Sequence, residues 1–295
     1  MNAAAIDIGS NTVRMLLVHE HAGRQYFRNV TRLSGDFSPD GLLDHQSMAR
    51  TLQALAGFSR IICQHNNVQV KAVGTEIFRR ASNTASFLAQ VKHQTGINIE
   101  VIDGATEATL SCRGMLSVLQ PVPKRALLFD LGGGSTEIIL LEDSQVCLQK
   151  SLPLGVIRLF EECPTDEFRD EFISQHFNSF VKNPIWQQWQ QDNQPVDLVG
   201  TAGTVTTLAA LKLRMVEYDG DSINNLILDR CWLDALVKTL SGLSLAERLA
   251  LPGMEEGRAD LILPGLQVVT SFLDLTRNDR LRVADAGLLE GLLLS

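Results

Sequence analysis

The chain has 295 residues, 45% hydrophobic and 20% charged, which is enough for two domains with real cores and fits a soluble globular protein rather than a disordered one. A formal net charge of −8 argues against general nucleic-acid binding, so no DNA partner is expected. Five scattered cysteines without paired spacing (Cys63, Cys112, Cys147, Cys163, Cys231) read as reduced thiols of a cytoplasmic protein, neither a disulfide framework nor a zinc site. The N-terminus lacks the basic start of a signal peptide, and no apolar run approaches the ~18 residues of a membrane helix.

In chain order, residues 4–32 read as three antiparallel strands, with His19 and His21 on a solvated hairpin edge. Met48, Leu52, Leu55 and Ile62 fall at helical spacing and predict a helix over 42–65. A strand is expected over 68–75, then a loop or short helix carrying Arg79 and Arg80, a helix from 83 or 84 to 95, a strand over 97–103, and a helix starting near Thr106. Gln120-Pro-Val-Pro-Lys-Arg125 reads as the domain boundary. This gives an expected first domain of 1–123 and a second of 124–295, with the final helix packing back on the first. In the second half, a hairpin over 127–140 and a strand over 145–152 precede a long helix over 160–191, whose Phe168, Phe172, Phe177, Phe180 and Trp186 face mostly inward. A strand over 196–201, a glycine- and hydroxyl-rich helix start at 200–206, helices over 230–240 and 245–249, an apolar helix after Asp260 and a last strand over 281–285 complete the chain.

The chemistry concentrates at Leu127-Leu-Phe-Asp-Leu-Gly-Gly-Gly-Ser-Thr-Glu-Ile-Ile-Leu140. An apolar strand broken by one carboxylate, Asp130, runs into a bare-backbone turn, Gly132, Gly133 and Gly134, followed by Ser135 and Thr136. Amide groups without Cβ shielding approach a phosphate closely, and the hydroxyls add donors. A buried carboxylate beside a phosphate requires a cation between them, so Asp130 implies a divalent metal, magnesium by ligand type. Glu137, seven residues on, stands where it would face the metal or its water. The N-terminal Ala4-Ala-Ile-Asp-Ile-Gly-Ser-Asn-Thr-Val13 repeats the pattern, with Asp7 before Gly9 and Ser10, Asn11 and Thr12 as turn donors. Each copy is followed by a third strand and, later, by a strand ending in Val-Gly-Thr; Asp7 to Thr75 spans 68 positions and Asp130 to Thr201 spans 71. Order and spacing together mean two related domains rather than a solenoid. Gly203 and Thr204, at a predicted helix N-terminus, make a third phosphate loop. The expected ligand is a chain of phosphates held between two similar lobes.

These residues resemble the actin, sugar-kinase and heat-shock ATPase superfamily, and more closely the exopolyphosphatase / guanosine pentaphosphate phosphohydrolase (Ppx/GppA) family. The markers are Ala5 to Asn11, Val73 to Asn83, Gly104-Ala-Thr-Glu-Ala108, Phe129 to Glu137, Ser151 to Arg158, Gly200 to Thr206, Arg258 to Leu266 and Val283 to Gly287, nearly the whole chain. The resemblance implies an α/β fold of two ribonuclease-H-like (actin-like ATPase) domains, each a mixed sheet flanked by helices. It implies hydrolysis of a terminal phosphoanhydride of polyphosphate or guanosine pentaphosphate with Mg²⁺, and it leaves room for a homodimer. It places the catalytic glutamate on Glu107, which by itself reads as an acid favoured in a helix's first turn, and the phosphate-contacting arginine on Arg79, by itself a surface cation. Asp130 and Glu137 would carry the metal, with Asp7 close. Arg80 stands where the family has an acid, Thr106 where a second acid is common, and Leu289 where an arginine is common. The expected form is a short one, without the HD-type helical domain of long members. A kinase and a filament-forming nucleotide binder are the rival classes.

Overall fold

The computed structural model describes residues 2–19, 23–35, 41–143, 145–192 and 194–295; His21 and residues 36–40 of the expected loop lie outside them. Two compact units emerge, 1–114 with 288–295, and 115–287.

In the first unit, Ala3–Ile8 (β1), Thr12–His19 (β2), Gly23–Val30 (β3), Gln69–Gly74 (β4) and Ile99–Val101 (β5) form a sheet in the order β3-β2-β1-β4-β5. The first three strands are antiparallel, and β4 and β5 run parallel to β1. The centre is β1, buried along nearly its whole length because helices cover both faces, whereas β3, at one edge, is largely exposed. His45–Ile62 (α1) covers one face. Asp44 starts it by accepting hydrogen bonds from the backbone of Gln46 and Ser47, and Ser47, Thr51, Leu55 and Phe58 form its buried stripe. Glu76–Arg80 (α2), Thr84–Thr95 (α3) and Gly104–Val118 (α4) follow, the division between units falling inside α4.

The second unit holds a six-stranded sheet, Arg125–Leu131 (β6), Thr136–Glu142 (β7), Gln145–Leu152 (β8), Asp197–Thr201 (β9), Ile227–Asp229 (β10) and Arg280–Val283 (β11), in the order β10-β11-β9-β6-β7-β8. Again the first three strands, β6 to β8, are antiparallel, and β9 runs parallel to β6. Both sheets thus share three antiparallel strands with a parallel strand added beside the first, and the mixed α/β architecture expected from the sequence is observed.

The single helix expected over 160–191 is three: Val156–Glu162 (α5), Asp166–Val181 (α6) and Pro184–Gln191 (α7). Thr165 and Asn183 cap the second and third, and Pro184 occupies the first turn of α7, where its missing N–H costs nothing. Phe168, in the first turn of α6, is exposed, while Phe177, Phe180, Trp186 and Trp189 are core. Ala202–Leu213 (α8), Gly220–Ile223 (α9), Arg230–Ser241 (α10), Leu245–Leu249 (α11) and Ile262–Thr276 (α12) complete the unit.

The last helix, Leu288–Leu293 (α13), belongs to the first unit. Its Gly291 lies so close to the Leu110 carbonyl that a Cβ would stand 1.9 Å from the oxygen. Leu289 is buried in an apolar cluster with Ala5, Leu16, Val73 and Leu110, a place that suits an aliphatic side chain. Among the described residues no helix is long and apolar enough to cross a membrane.

Burial in α4 also sets a chemical contrast. The Cys112 thiol is pushed up to about 11 by desolvation, against a slight downward pull from Arg113. At pH 8 only about one in a thousand molecules would carry that thiolate, whereas Cys63 and Cys231 are exposed. Iodoacetamide followed by peptide mass spectrometry should modify Cys63 and Cys231 first, and Cys112 only on unfolding.

Candidate active site

The duplication extends to single hydrogen bonds. In the first unit the Gly9 amide donates to the Thr12 carbonyl, and in the second the Gly132 amide donates to the Ser135 carbonyl, both at 3.0 Å. Each bond closes a hairpin two residues after the aspartate. The Val-Gly-Thr strands β4 and β9 repeat a steric device: Gly74 and Gly200 are bare because a Cβ on either would fall into a phenyl ring, 2.5 Å from Phe78 and 2.6 Å from Phe129.

The copies part at the residue directly across the ladder from the aspartate. Asp7 pairs in register with Arg14, and Asp130 with Glu137. Opposed residues of antiparallel strands share a face, so each aspartate lies on the same face as its partner. In the first unit this is an ion pair: Asp7 Oδ2 accepts from Arg14 Nε at 3.0 Å and from Nη2 at 2.5 Å. The cation needed by that buried carboxylate is thus built into the chain. In the second unit two carboxylates, both more than nine-tenths buried, stand opposite one another. Glu137 Oε1 accepts from Ser135 Oγ at 2.9 Å and Ser151 Oγ at 2.7 Å. Gly287 stands close by: a Cβ on it would lie 3.7 Å from Asp130 Oδ2, in ordinary contact.

These donors suit magnesium. No group of three or more His, Cys, Asp or Glu able to hold a metal is found among the described residues. A hard cation that keeps its waters and takes its remaining oxygens from substrate phosphate needs only one or two carboxylates. Asp130 and Glu137 fit that requirement better than Asp7, which Arg14 already neutralises.

The glycine turn of the second unit is held from one side. Val156 N–H donates to the Gly132 carbonyl at 3.1 Å, and Ile157 and Arg158 N–H donate to the Gly133 carbonyl at 2.9 and 3.4 Å. In a trans peptide the carbonyl and the following amide point oppositely. With these carbonyls tied to the start of α5, the amides of Gly133 and Gly134 point away from it. Thr136 anchors the returning strand by donating its hydroxyl to the Leu154 carbonyl.

The first hairpin obeys the same logic with different partners. The Ser10 carbonyl accepts from Ser34 N–H, and the Asn11 carbonyl from the amides of Thr31 and Arg32. The Asn11 side chain is 4% exposed, and neither its Oδ1 nor its Nδ2 has a partner among the described residues. Leaving such a group unmade costs about 1–3 kcal/mol, so this amide is set to meet a ligand or its water. Ser10 Oγ lies 3.5 Å from Glu76 Oε2, and Glu76 Oε1 holds Arg80 at 3.0 Å. The additional cation at position 80 is therefore paired along its own helix.

Arg79 and Glu107, 28 positions apart in sequence, come together at 3.0 Å, and Arg79 Nη1 also donates to the Ile102 carbonyl at 2.7 Å. Glu107 sits in the first turn of α4, which Asp103 begins by accepting a hydrogen bond from Thr106 N–H at 2.7 Å. That bond, first among its causes, and the nearby Arg79 hold the Asp103 carboxyl below its usual range.

At α8, no side chain caps the helix start, for Thr201 Oγ1 donates instead to the Ala286 carbonyl. The first amides of the helix are thereby left for another acceptor. Ala202 takes φ = 72°, a left-handed conformation rare for a residue with a Cβ. Gly203 is glycine because the Arg258 guanidinium covers it; a Cβ would lie 1.8 Å from Nη2. Thr204 is buried and faces Gly265 of α12, so its side chain packs between helices.

Sequence reasoning gave no role to Arg14, nor to Ser151 and Gly155 within the marker Ser151 to Arg158. The seven-residue interval from Asp7 to Arg14, equal to that from Asp130 to Glu137, was a signal for the first of them. Gly155 falls in the marker Ser151 to Arg158, but its role depends on the approach of α5 to the glycine turn.

Known proteins are similar to this chain along nearly all of its length. Exopolyphosphatase 2 of Mycobacterium tuberculosis is 31% identical over 99% of this chain and 97% of its own. A guanosine-5'-triphosphate,3'-diphosphate pyrophosphatase of Aliivibrio fischeri is 29% identical over 98% of this chain but only 58% of its own length. The crystal structure of an exopolyphosphatase from Cytophaga hutchinsonii superposes with a TM-score of 0.87 at 26% identity, covering 100% of this chain and 97% of that one. A Ppx/GppA family member from Aquifex aeolicus gives 0.78 at 30% identity, over 100% and 96%. The model of the Ppx/GppA phosphatase family matches residues 24–295, and with that match across nearly all of its length the chain belongs to this family.

Proposed function

We propose that the chain releases terminal phosphate from inorganic polyphosphate by attack of water. The observation that carries this reading is the Arg79–Glu107 pair, 3.0 Å apart in the unit that presents the Asn11 hairpin. Glu107 is the carboxylate that orients the attacking water and takes its proton. Arg79, tied to both Glu107 and the Ile102 carbonyl, is held in place to compensate charge on the phosphoryl oxygens. The outward amides of Gly133 and Gly134, the Asn11 amide, the hydroxyls of Ser10 and Thr12, and the open start of α8 at Gly203 bind phosphate. Ser135 bonds to Glu137 and keeps that carboxylate in place. Asp130 and Glu137 would hold magnesium, which when bound supplies positive charge to phosphate oxygens. Phosphoryl transfer depends mainly on such positioning and charge compensation.

The full-length likeness to an exopolyphosphatase favours the inorganic polymer. Guanosine pentaphosphate is the second reading, supported by the pyrophosphatase relative. The test is phosphate release by the purified chain from long-chain polyphosphate, guanosine pentaphosphate and ATP. Release from polyphosphate without any acceptor, abolished by EDTA and restored by excess Mg²⁺, is expected. Release chiefly from the nucleotide would move the substrate, and none from any of them would remove the hydrolase reading.

A further inference from the structure

A groove of about 580 Å³ lies on the first unit between α1 and the edge strand β3. The helix lines it with Arg50, Gln53, Ala54, Gly57, Arg60 and Ile61, a single face by helical spacing. The strand side contributes Phe27, Asn29 and Thr31. Its volume lies within the range of small-molecule sites.

Its charge runs against that of the molecule. The chain carries a formal net charge of −8, yet arginines line the groove and no Asp or Glu stands among its described lining residues. Arg50 and Arg60 are ten positions apart on α1, about 15 Å along a helix axis, which suits an extended anion rather than a single small ion. Among the described residues Arg60 donates through Nε to the Ala56 carbonyl of its own helix at 3.3 Å, and no carboxylate takes part in that bond. Gly57 opens the middle of the groove: a Cβ there would find nothing within 4 Å.

The donors point the same way. Thr31 is 2% exposed and lines the groove, yet its Oγ1 has no hydrogen-bond partner among the described residues. Its backbone is fixed on both sides, N–H to the Asn11 carbonyl at 2.9 Å and carbonyl to Arg50 Nε at 3.0 Å. A fixed, buried hydroxyl without a partner is a group awaiting a ligand. Asn29 and Gln53 add amide donors, and as the edge of its sheet β3 presents amides that no further strand takes among the described residues.

From these features we propose that the α1–β3 groove is a second seat for an oligophosphate chain, separate from the hairpin tips. The chemistry recognised is a run of phosphates, whether free inorganic polymer or the triphosphate arm of a nucleotide; the choice of phosphate rests on the hydrolase reading above. Because Thr31 is bonded to Asn11, occupancy of the seat is transmitted to the hairpin through one hydrogen bond.

The test is isothermal titration calorimetry of the full chain with tripolyphosphate, and separately with guanosine triphosphate, in EDTA. It compares the unaltered chain, Arg60→Glu, and Gly57→Leu, which fills the groove at a helical position open to a side chain. Circular dichroism establishes that the variants fold. The unaltered chain is expected to show a class of tripolyphosphate binding that both variants weaken at least tenfold. Heat from the nucleotide that is lost in the same variants would extend the seat to nucleotide arms; heat from tripolyphosphate alone would confine it to the inorganic chain. Identical tripolyphosphate binding in all three folded proteins would overturn the seat even if phosphate release is normal. Loss of binding in the variants, in a chain that releases no phosphate from any substrate, would keep the seat and overturn the hydrolase reading alone.

Discussion

Replacing Glu107 by glutamine is expected to lower turnover on polyphosphate by ~10²–10⁴-fold, the range general-base assistance supplies, with KM close to that of the unaltered chain. Glutamine keeps the size of the side chain and retains an oxygen for Arg79 Nη1, which also stays bonded to the Ile102 carbonyl. The phosphate-binding hairpin is thus undisturbed, and what is removed is the capacity to accept a proton from water. The split between kcat and KM separates this role from a structural one. A carboxylate that served only to buttress Arg79 would, on substitution, raise KM or lower the melting temperature while leaving turnover within a fewfold. Phosphate-release kinetics with thermal melts of both proteins check the assignment, and equal kcat would remove it.

What could be read from the sequence was the part of the site carried by local pattern. Two apolar strands, each interrupted by one aspartate and followed by glycine and hydroxyls, foretold both hairpins because strand, turn and donors are contiguous. The Val-Gly-Thr strands foretold the parallel neighbours β4 and β9. What lay hidden depended on register and on approach. Asp7 and Asp130 look alike in sequence, yet the residue across the ladder makes one half of an ion pair and the other half of a carboxylate pair. The helix expected over 160–191 failed for a different reason: Pro164 and Pro184 were visible, but a run of phenylalanines at helical spacing outweighed them. Thr204 illustrates a third limit, since the approach of Gly265 on α12 to its side chain has no local signature in the sequence.

The substitution Gly155→Ala is expected to damage the second hairpin from outside it. A Cβ at position 155 would stand 2.2 Å from the Gly133 carbonyl oxygen and 2.4 Å from the carbonyl carbons of Gly133 and Gly134. These are backbone atoms, so no rotamer change relieves the clash, and either the glycine turn or the start of α5 must move. Moving apart breaks the bonds from Val156, Ile157 and Arg158 to the Gly132 and Gly133 carbonyls. Those bonds are what turn the Gly133 and Gly134 amides away from α5, so the amides lose their fixed aim. Overpacking of this kind costs about 1–3 kcal/mol, and mispositioning a charge-stabilising donor costs ~10²–10³-fold in kcat. Phosphate release is therefore expected to fall by at least tenfold, with a lowered melting temperature, even though Gly155 bears no functional group. Gly242→Ala, at the exposed end of α10 with φ = −82° and a Cβ in ordinary contact 3.6 Å from the Thr239 carbonyl, is the control: it should leave hydrolysis unchanged and hold or raise the melting temperature. If Gly155→Ala melts lower but hydrolyses at the normal rate, the clasp serves folding alone, and the aim of the glycine amides must be set from within the turn.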